Sequence, residues 1–291
     1  VHTGSFANIA SGNASFLSLQ MALKLADYVV AESGFGTDLG AEKLYDIICN
    51  QHKIIPSISV CVVSAKALKI QGEVGPDCDA SKPDAKALRK GFQNLEKHLE
   101  NISKFGIPCV VAINKFPFDD EEEIDLIRRH CQDMKIPVAI SEAVSKGGNG
   151  ALELAETVLK TIANTKSNFK PLYKPEESLK DKIEIIAREI FGAQSVTYTE
   201  KALSQIDQFV QLGFDNLPVN IAKTHLSLSD KAELKGAPEE WSLLIRELQI
   251  ARGAGYVIAI AGKIMLMPGL PAVPVAERVE VDDEGVITGL F

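Results

Sequence analysis

Three short stretches of this sequence carry residue types that can hold a ligand. In Glu32-Ser-Gly-Phe-Gly-Thr-Asp38-Leu-Gly40, Gly34, Gly36 and Gly40 allow backbone to approach a bound group closely, Glu32 and Asp38 supply carboxylates, and Phe35 lies between two of the glycines. A plain glycine-rich turn has the same composition. In Ser64-Ala-Lys66-Ala-Leu-Lys69, two lysines three residues apart can share a helical face and hold an anion, as can any solvated lysine pair. In Asn114-Lys-Phe116-Pro117, an aromatic precedes a proline that restricts its backbone to extended conformations. Such a ring is either a flat platform for stacking or a core phenylalanine.

Other chemistries find no foothold. The histidines, His2, His52, His98, His130 and His225, stand near no plausible nucleophile in sequence, so no catalytic triad assembles and the catalytic residues stay unassigned. There is no HExxH and no CxxC pair, so no metal-ligand set is read. The phosphate-binding pattern GxxxxGK[ST] does not occur: Gly262-Lys263 is followed by Ile264.

The elements that must position these loops alternate short β-branched runs with longer amphipathic stretches, the pattern of an α/β chain with parallel sheets flanked by helices. Strands are expected over Tyr28–Ala31, Ile58–Val63, Pro108–Ile113, Pro137–Ile140, Val219–Ala222 and Tyr256–Ala261. Helices are expected over Ser15–Ala26, Ala41–Cys49, Pro83–Lys104, Glu121–Met134 and Ala151–Ala163, each with apolar residues at the spacing of a buried face. Asp119 to Glu123 marks a helix start through its acidic first turn, and Ser178 to Asp181 marks another through a capping pattern. The three ligand loops each follow an expected strand, where ligands bind in doubly wound sheets. The proline-containing stretch from Phe169 to Pro175 divides the chain into residues 1–168 and a smaller C-terminal α/β domain, 169–291, whose Pro-rich tail runs extended.

Composition narrows the partners. The 291 residues carry a formal net charge of −8 with no dense Lys/Arg tract, which disfavours nucleic acid and membrane surfaces. No apolar run reaches the roughly 18 residues of a membrane span, and no secretory signal is present, so a cytoplasmic location is expected. The unpaired cysteines, Cys49, Cys61, Cys78, Cys109 and Cys131, read as reduced thiols. The chain opens on Val1 with the composition of a domain interior, and a fragment or processed product is expected.

Several blocks together carry a family resemblance. They are Gly4-Ser-Phe6-Ala-Asn8-Ile-Ala10, the loop from Glu32 to Lys43, Ala67-Leu-Lys69, Ala112-Ile-Asn-Lys-Phe-Pro117, Lys146-Gly-Gly148, Leu217-Pro218, Ala222 to Asp230, and Met267-Pro-Gly-Leu-Pro271 with the closing Gly285 to Phe291. In this order they resemble the C-terminal half of formate–tetrahydrofolate ligase. The resemblance implies a P-loop NTPase-like fold with the phosphate-binding segment placed before Val1. It also implies ATP-dependent joining of formate to tetrahydrofolate through formyl phosphate, with Mg²⁺, a monovalent cation and a homo-oligomeric assembly. Phe116 and Pro117 match the family's Phe-Pro at the folate pocket, and Val144 stands where the family has a tryptophan covering the other ring face. Lys66 replaces the family's arginine before Ala-Leu-Lys, and Ser5 and Ser11 also depart from its pattern. With no phosphate-binding pattern of its own, the chain is expected to be inactive alone; the alternative is a non-catalytic folate-binding or subunit-interaction homologue.

Overall fold

Where β-branched runs meet parallel neighbours they form strands, and where apolar residues recur every three or four positions they form helices packed over those strands. The computed structural model describes residues 11–72, 79–264, 271–283, 285 and 287–289. The block at 4–10, Cys78 and the run at 267–270 lie outside the described residues.

Among the described residues the first element is α1 (Phe16–Leu25), then a helical stretch with π-type turns at Thr37–Ala41 and Leu44–Cys49 that ends in α2 (Asn50–His52). There follow β1 (Ser59–Val63), α3 (Ala65–Gln71), α4 (Ala85–Lys104), β2 (Cys109–Asn114), α5 (Glu121–Asp133), β3 (Val138–Ser141), α6 (Ala143–Lys146) and α7 (Leu152–Asn164). The later part comprises α8 (Leu179–Glu189), β4 (Ser195–Tyr198), α9 (Glu200–Gln211), β5 (Val219–Ala222), β6 (Ser242–Ala251), β7 (Tyr256–Ala261) and a small pair, β8 (Glu280–Val281) with β9 (Ile287–Thr288). Among the described residues no helix is long and apolar enough to cross a membrane.

β1, β2 and β3 form a parallel sheet in that order. A second sheet runs β4-β6-β7-β5, parallel except where β6 meets β7 antiparallel. The expected strands at β1, β2, β3, β5 and β7 are all present. Tyr28–Ala31 is not a strand: it runs without a ladder, and Val30 is 97% exposed. Strand propensity supplies no partner, and among the described residues none lies beside it.

Local chemistry sets the helix starts. Asp120 accepts the N–H groups of Glu122 and Glu123, and Ser178 accepts that of Asp181, at the two positions the sequence marks. α3 and α4 approach so closely that a Cβ on Gly91 would stand 2.0 Å from the carbonyl oxygen of Leu68. One apolar core lies between α3, α4, α5 and the first sheet, centred on Leu68, Leu88, Phe92, Val111 and Ile127. A second joins Tyr45, Ile102 and Phe105 to Tyr173, Ile183, Phe191, Ile221 and Leu248. Each such fully buried side chain contributes about 1.5–3 kcal/mol. Lys182 is fully buried beneath this second core, its ammonium donating to the carbonyl oxygens of Pro175 (2.7 Å), Asp215 (2.8 Å) and Leu217 (3.2 Å).

Candidate functional site

Two of the ligand loops follow the carboxyl ends of β1 and β2 in the first sheet, whereas the loop from Glu32 to Gly40 follows no strand. Asn114 of β2 is the register partner of Ser141 of β3, so Phe116 and Val144 follow neighbouring strands by two and three residues. The ends are tied together, since Lys115 N–H donates to Ser141 O at 2.9 Å and the Lys115 ammonium lies 3.9 Å from Glu142 and 2.5 Å from Glu121. The bond to Glu121 raises the Lys115 pKa, and the Lys146 bond lowers that of Glu142. Phe116 N–H donates to Asp119 Oδ2, which fixes the turn and leaves the ring half-buried. Its ring stacks on that of Phe118 with centroids 5.5 Å apart and planes 13° from parallel. Phe118 is 61% exposed, Val144 is 58% exposed and Pro117 is exposed, so this is a surface platform rather than core.

The loop from Glu32 to Gly40 lies over the carboxyl end of β5. Phe35 adopts a left-handed backbone, φ 61°, unusual for a bulky residue, and its ring stacks on His225 at 4.5 Å. The glycines serve the loop itself. Gly40 N–H donates to Gly34 O at 3.0 Å, and a Cβ on Gly40 would stand 2.3 Å from that oxygen. A Cβ on Gly36 would meet Asp38 and the His98 ring. Beneath the loop, Asp38 pairs with Lys223, the residue after β5, and Thr37 Oγ1 lies 2.7 Å from His98 Nδ1. Burial opposes the Asp38 charge, but Lys223 and His98 outweigh it and hold the pKa below its ordinary value. Burial lowers the pKa of His98, against the opposing pull of the Asp38 carboxylate. Glu32 is exposed and has no role in this packing.

The two lysines of α3 part company. Lys66 is exposed, whereas Lys69 is buried with its ammonium 2.7 Å from Glu123 and 2.7 Å from Lys82 O. Glu123 accepts the Asp84 N–H with its other oxygen, so the lysine clasps the starts of α4 and α5. Neither Lys69 nor Lys223 has charge to spare for a phosphate. Among the described residues no group of three His, Cys, Asp or Glu stands close enough to hold a metal ion. Burial pushes the Cys49 and Cys61 thiols up to about 12, so both behave as apolar groups.

Sequence reasoning did not single out Phe118 or assign a role to His225. The Phe-Pro-Phe spacing could have signalled the first; the second depends on a contact 190 positions distant that no local pattern encodes. Two small cavities, about 160 and 210 Å³, lie elsewhere, at the amino ends of the sheets, and share Asn50 and Lys53.

These loops belong to a recognisable whole: the family model of formate–tetrahydrofolate ligase matches residues 1–291, and the chain therefore belongs to the formate–tetrahydrofolate ligase family.

Proposed function

We propose that this chain is the folate-holding part of an ATP-dependent ligase that joins formate to tetrahydrofolate. The observation that carries the reading is the family match over residues 1–291. The strand-end platform supports it: Phe116 and Phe118 stack as an apolar surface for one ring face, and Val144 lies exposed on α6, which follows the neighbouring strand β3. Offset stacking on such a surface contributes about 0.5–1.5 kcal/mol beyond area burial. Pro117 and the Asp119 bond fix the turn that carries the ring.

Two buried lysines offer no free charge to a triphosphate. Lys69 and Lys223 are neutralised by Glu123 and Asp38, and a phosphoryl transfer site needs unpaired donors around the transferring group. Among the described residues no group of three His, Cys, Asp or Glu stands close enough to hold a metal ion. The phosphate-binding segment belongs to a polypeptide region that precedes this one in the family, and the complete ligase is a homo-oligomer.

The test is calorimetric titration of the purified chain with tetrahydrofolate, beside an assay with ATP and formate. Binding without turnover is expected, and Phe116→Ala should weaken it. Turnover at an ordinary ligase rate, about 1–1000 per second, would overturn the division of labour, and unaltered affinity in Phe116→Ala would overturn the platform.

A further inference from the structure

Thr37 stands within the glycine-rich loop, and its hydroxyl reaches α4 rather than solvent. Asn101 Nδ2 donates to Thr37 Oγ1 at 3.2 Å and to Ile190 O at 3.0 Å. The second bond fixes the amide, because the Asn101 oxygen cannot face another carbonyl oxygen. A threonine hydroxyl carries one proton, and with Asn101 already donating to Oγ1 that proton goes to His98 Nδ1, 2.7 Å away. The bond therefore needs a bare Nδ1, which is the imidazole carrying its single proton on Nε2.

The loop also lies directly on this ring. A Cβ on Gly36 would stand 2.8 Å from His98 Cε1 and 2.5 Å from Asp38 Oδ1, so a glycine is what lets the backbone come this close. His98 and Asn101, three residues apart on α4, present one face to the loop. Burial is the strongest opponent of a second proton on His98. Asp38 from the loop favours that proton, while Lys223 at the exit of β5 and Lys97 on α4 oppose it.

We propose that Thr37 and His98 form a pH-sensitive clasp on the glycine-rich loop. With the ring neutral, the hydroxyl bond holds the loop down on α4. When His98 takes a second proton, Nδ1 becomes a donor, the Thr37 proton loses its acceptor, and the charged ring needs water that a lifted loop admits. The sign follows from burial. The closed loop holds the His98 pKa below its ordinary value of about 6.5, and opening restores it, so the open form binds the proton more tightly. Closure is at full strength above about pH 6.5 and weakens as pH falls below it, by at most about tenfold per unit. The Asp38–Lys223 pair keeps the loop tethered to the exit of β5, so the motion is local. What lifts is the turn that sets Phe35 against His225, and the clasp thereby governs that surface. It involves the loop and α4 alone and stands whether or not the chain serves a ligase.

Native-state amide exchange of the purified chain from about pH 8 to about pH 5, corrected for intrinsic rates, tests the clasp. The informative amides are those of Leu39 and Gly40, which donate to Gly36 O at 3.1 Å and Gly34 O at 3.0 Å. Their protection should hold down to about pH 6.5 and then fall, while that of Val111 and Ile113 in β2 stays constant. His98→Asn places an amide oxygen near the position of Nδ1 and cannot titrate, so protection of the loop should become independent of pH. Thr37→Val keeps the shape and removes the bond, so protection at the alkaline end should drop about 2- to 12-fold. Constant loop protection in the parent, an unaltered pH slope in His98→Asn, or full protection in Thr37→Val would each overturn the clasp. A parallel loss at Val111 and Ile113 would overturn it too, because unfolding of the whole sheet would then carry the pH dependence.

Discussion

Lys223 Nζ lies 2.6 Å from Asp38 Oδ2 across a sequence separation of 185 residues, with both side chains buried. The same ammonium donates to Ser227 O at 2.6 Å and Thr224 O at 3.1 Å. One cation therefore joins the glycine-rich loop to the segment leaving β5, and it is through this link that Phe35 comes to rest against His225.

Breaking the pair from one side leaves a buried charge without its counterion. Lys223→Met should cost about 3–5 kcal/mol, and adding Asp38→Asn should recover a substantial part of the loss. Urea unfolding of the three proteins decides this; equal instability of single and double variants would show that the pair does not act as a unit.

A pH dependence follows from Asp46, whose pKa burial raises from 3.8 to about 7. Glu42 and Tyr173 lie close to it, and burial together with Asp46 also raises Glu42. A raised acid binds more protons folded than unfolded, so stability falls as pH rises from about 4 to about 7, by at most about 1.4 kcal/mol per unit per group. Asp46→Asn keeps an oxygen for the Leu172 N–H and removes that group's share of the slope. Thermal midpoints from pH 4 to 8 test it: the gap between variant and parent should widen in the variant's favour as pH rises, and a constant gap contradicts the assignment.

Gly91→Ala would ordinarily favour a helix, by about 0.5–1 kcal/mol. Here the new methyl meets Leu68 backbone at 2.0 Å, so α3 and α4 must separate, and a net loss of about 1–3 kcal/mol is expected. Gly253→Ala, where nothing lies within 4 Å, is the control. Denaturant midpoints should drop for the first and hold for the second.

Val144 is exposed enough to accept a large ring without overpacking a core. If it faces bound pterin opposite Phe116, Val144→Trp should tighten tetrahydrofolate about 2- to 12-fold. Phe118→Ala, which removes the ring stacked on Phe116, should weaken it. Titration calorimetry measures both, and unchanged affinity in a stably folded Val144→Trp protein contradicts the folate clamp.

The sequence marks β5 and β7 to the residue, because both are apolar runs buried along their length. β6 escaped notice since a register shift between Ile245 and Glu247 breaks the two-residue alternation that would reveal it. β4, Ser-Val-Thr-Tyr, is partly exposed and lacks the apolar run that marks β5. At the candidate site the loops were legible, and their internal economy was not. Spacing places Lys66 and Lys69 on one helix but says nothing of Glu123, which captures only the second. Gly34 and Gly40 read as room for a ligand, whereas the backbone of the loop fills that room itself.

Lys182 has a consequence for how the later part of the chain responds to its surroundings. Three backbone carbonyls converging on one positive charge form the kind of nest in which proteins hold a dissolved alkali cation. Here the charge is covalently attached and shut away from solvent. It can be neither diluted out nor exchanged, so dialysis, chelators and changes of ionic strength should leave the junction of residues 175, 215 and 217 in place.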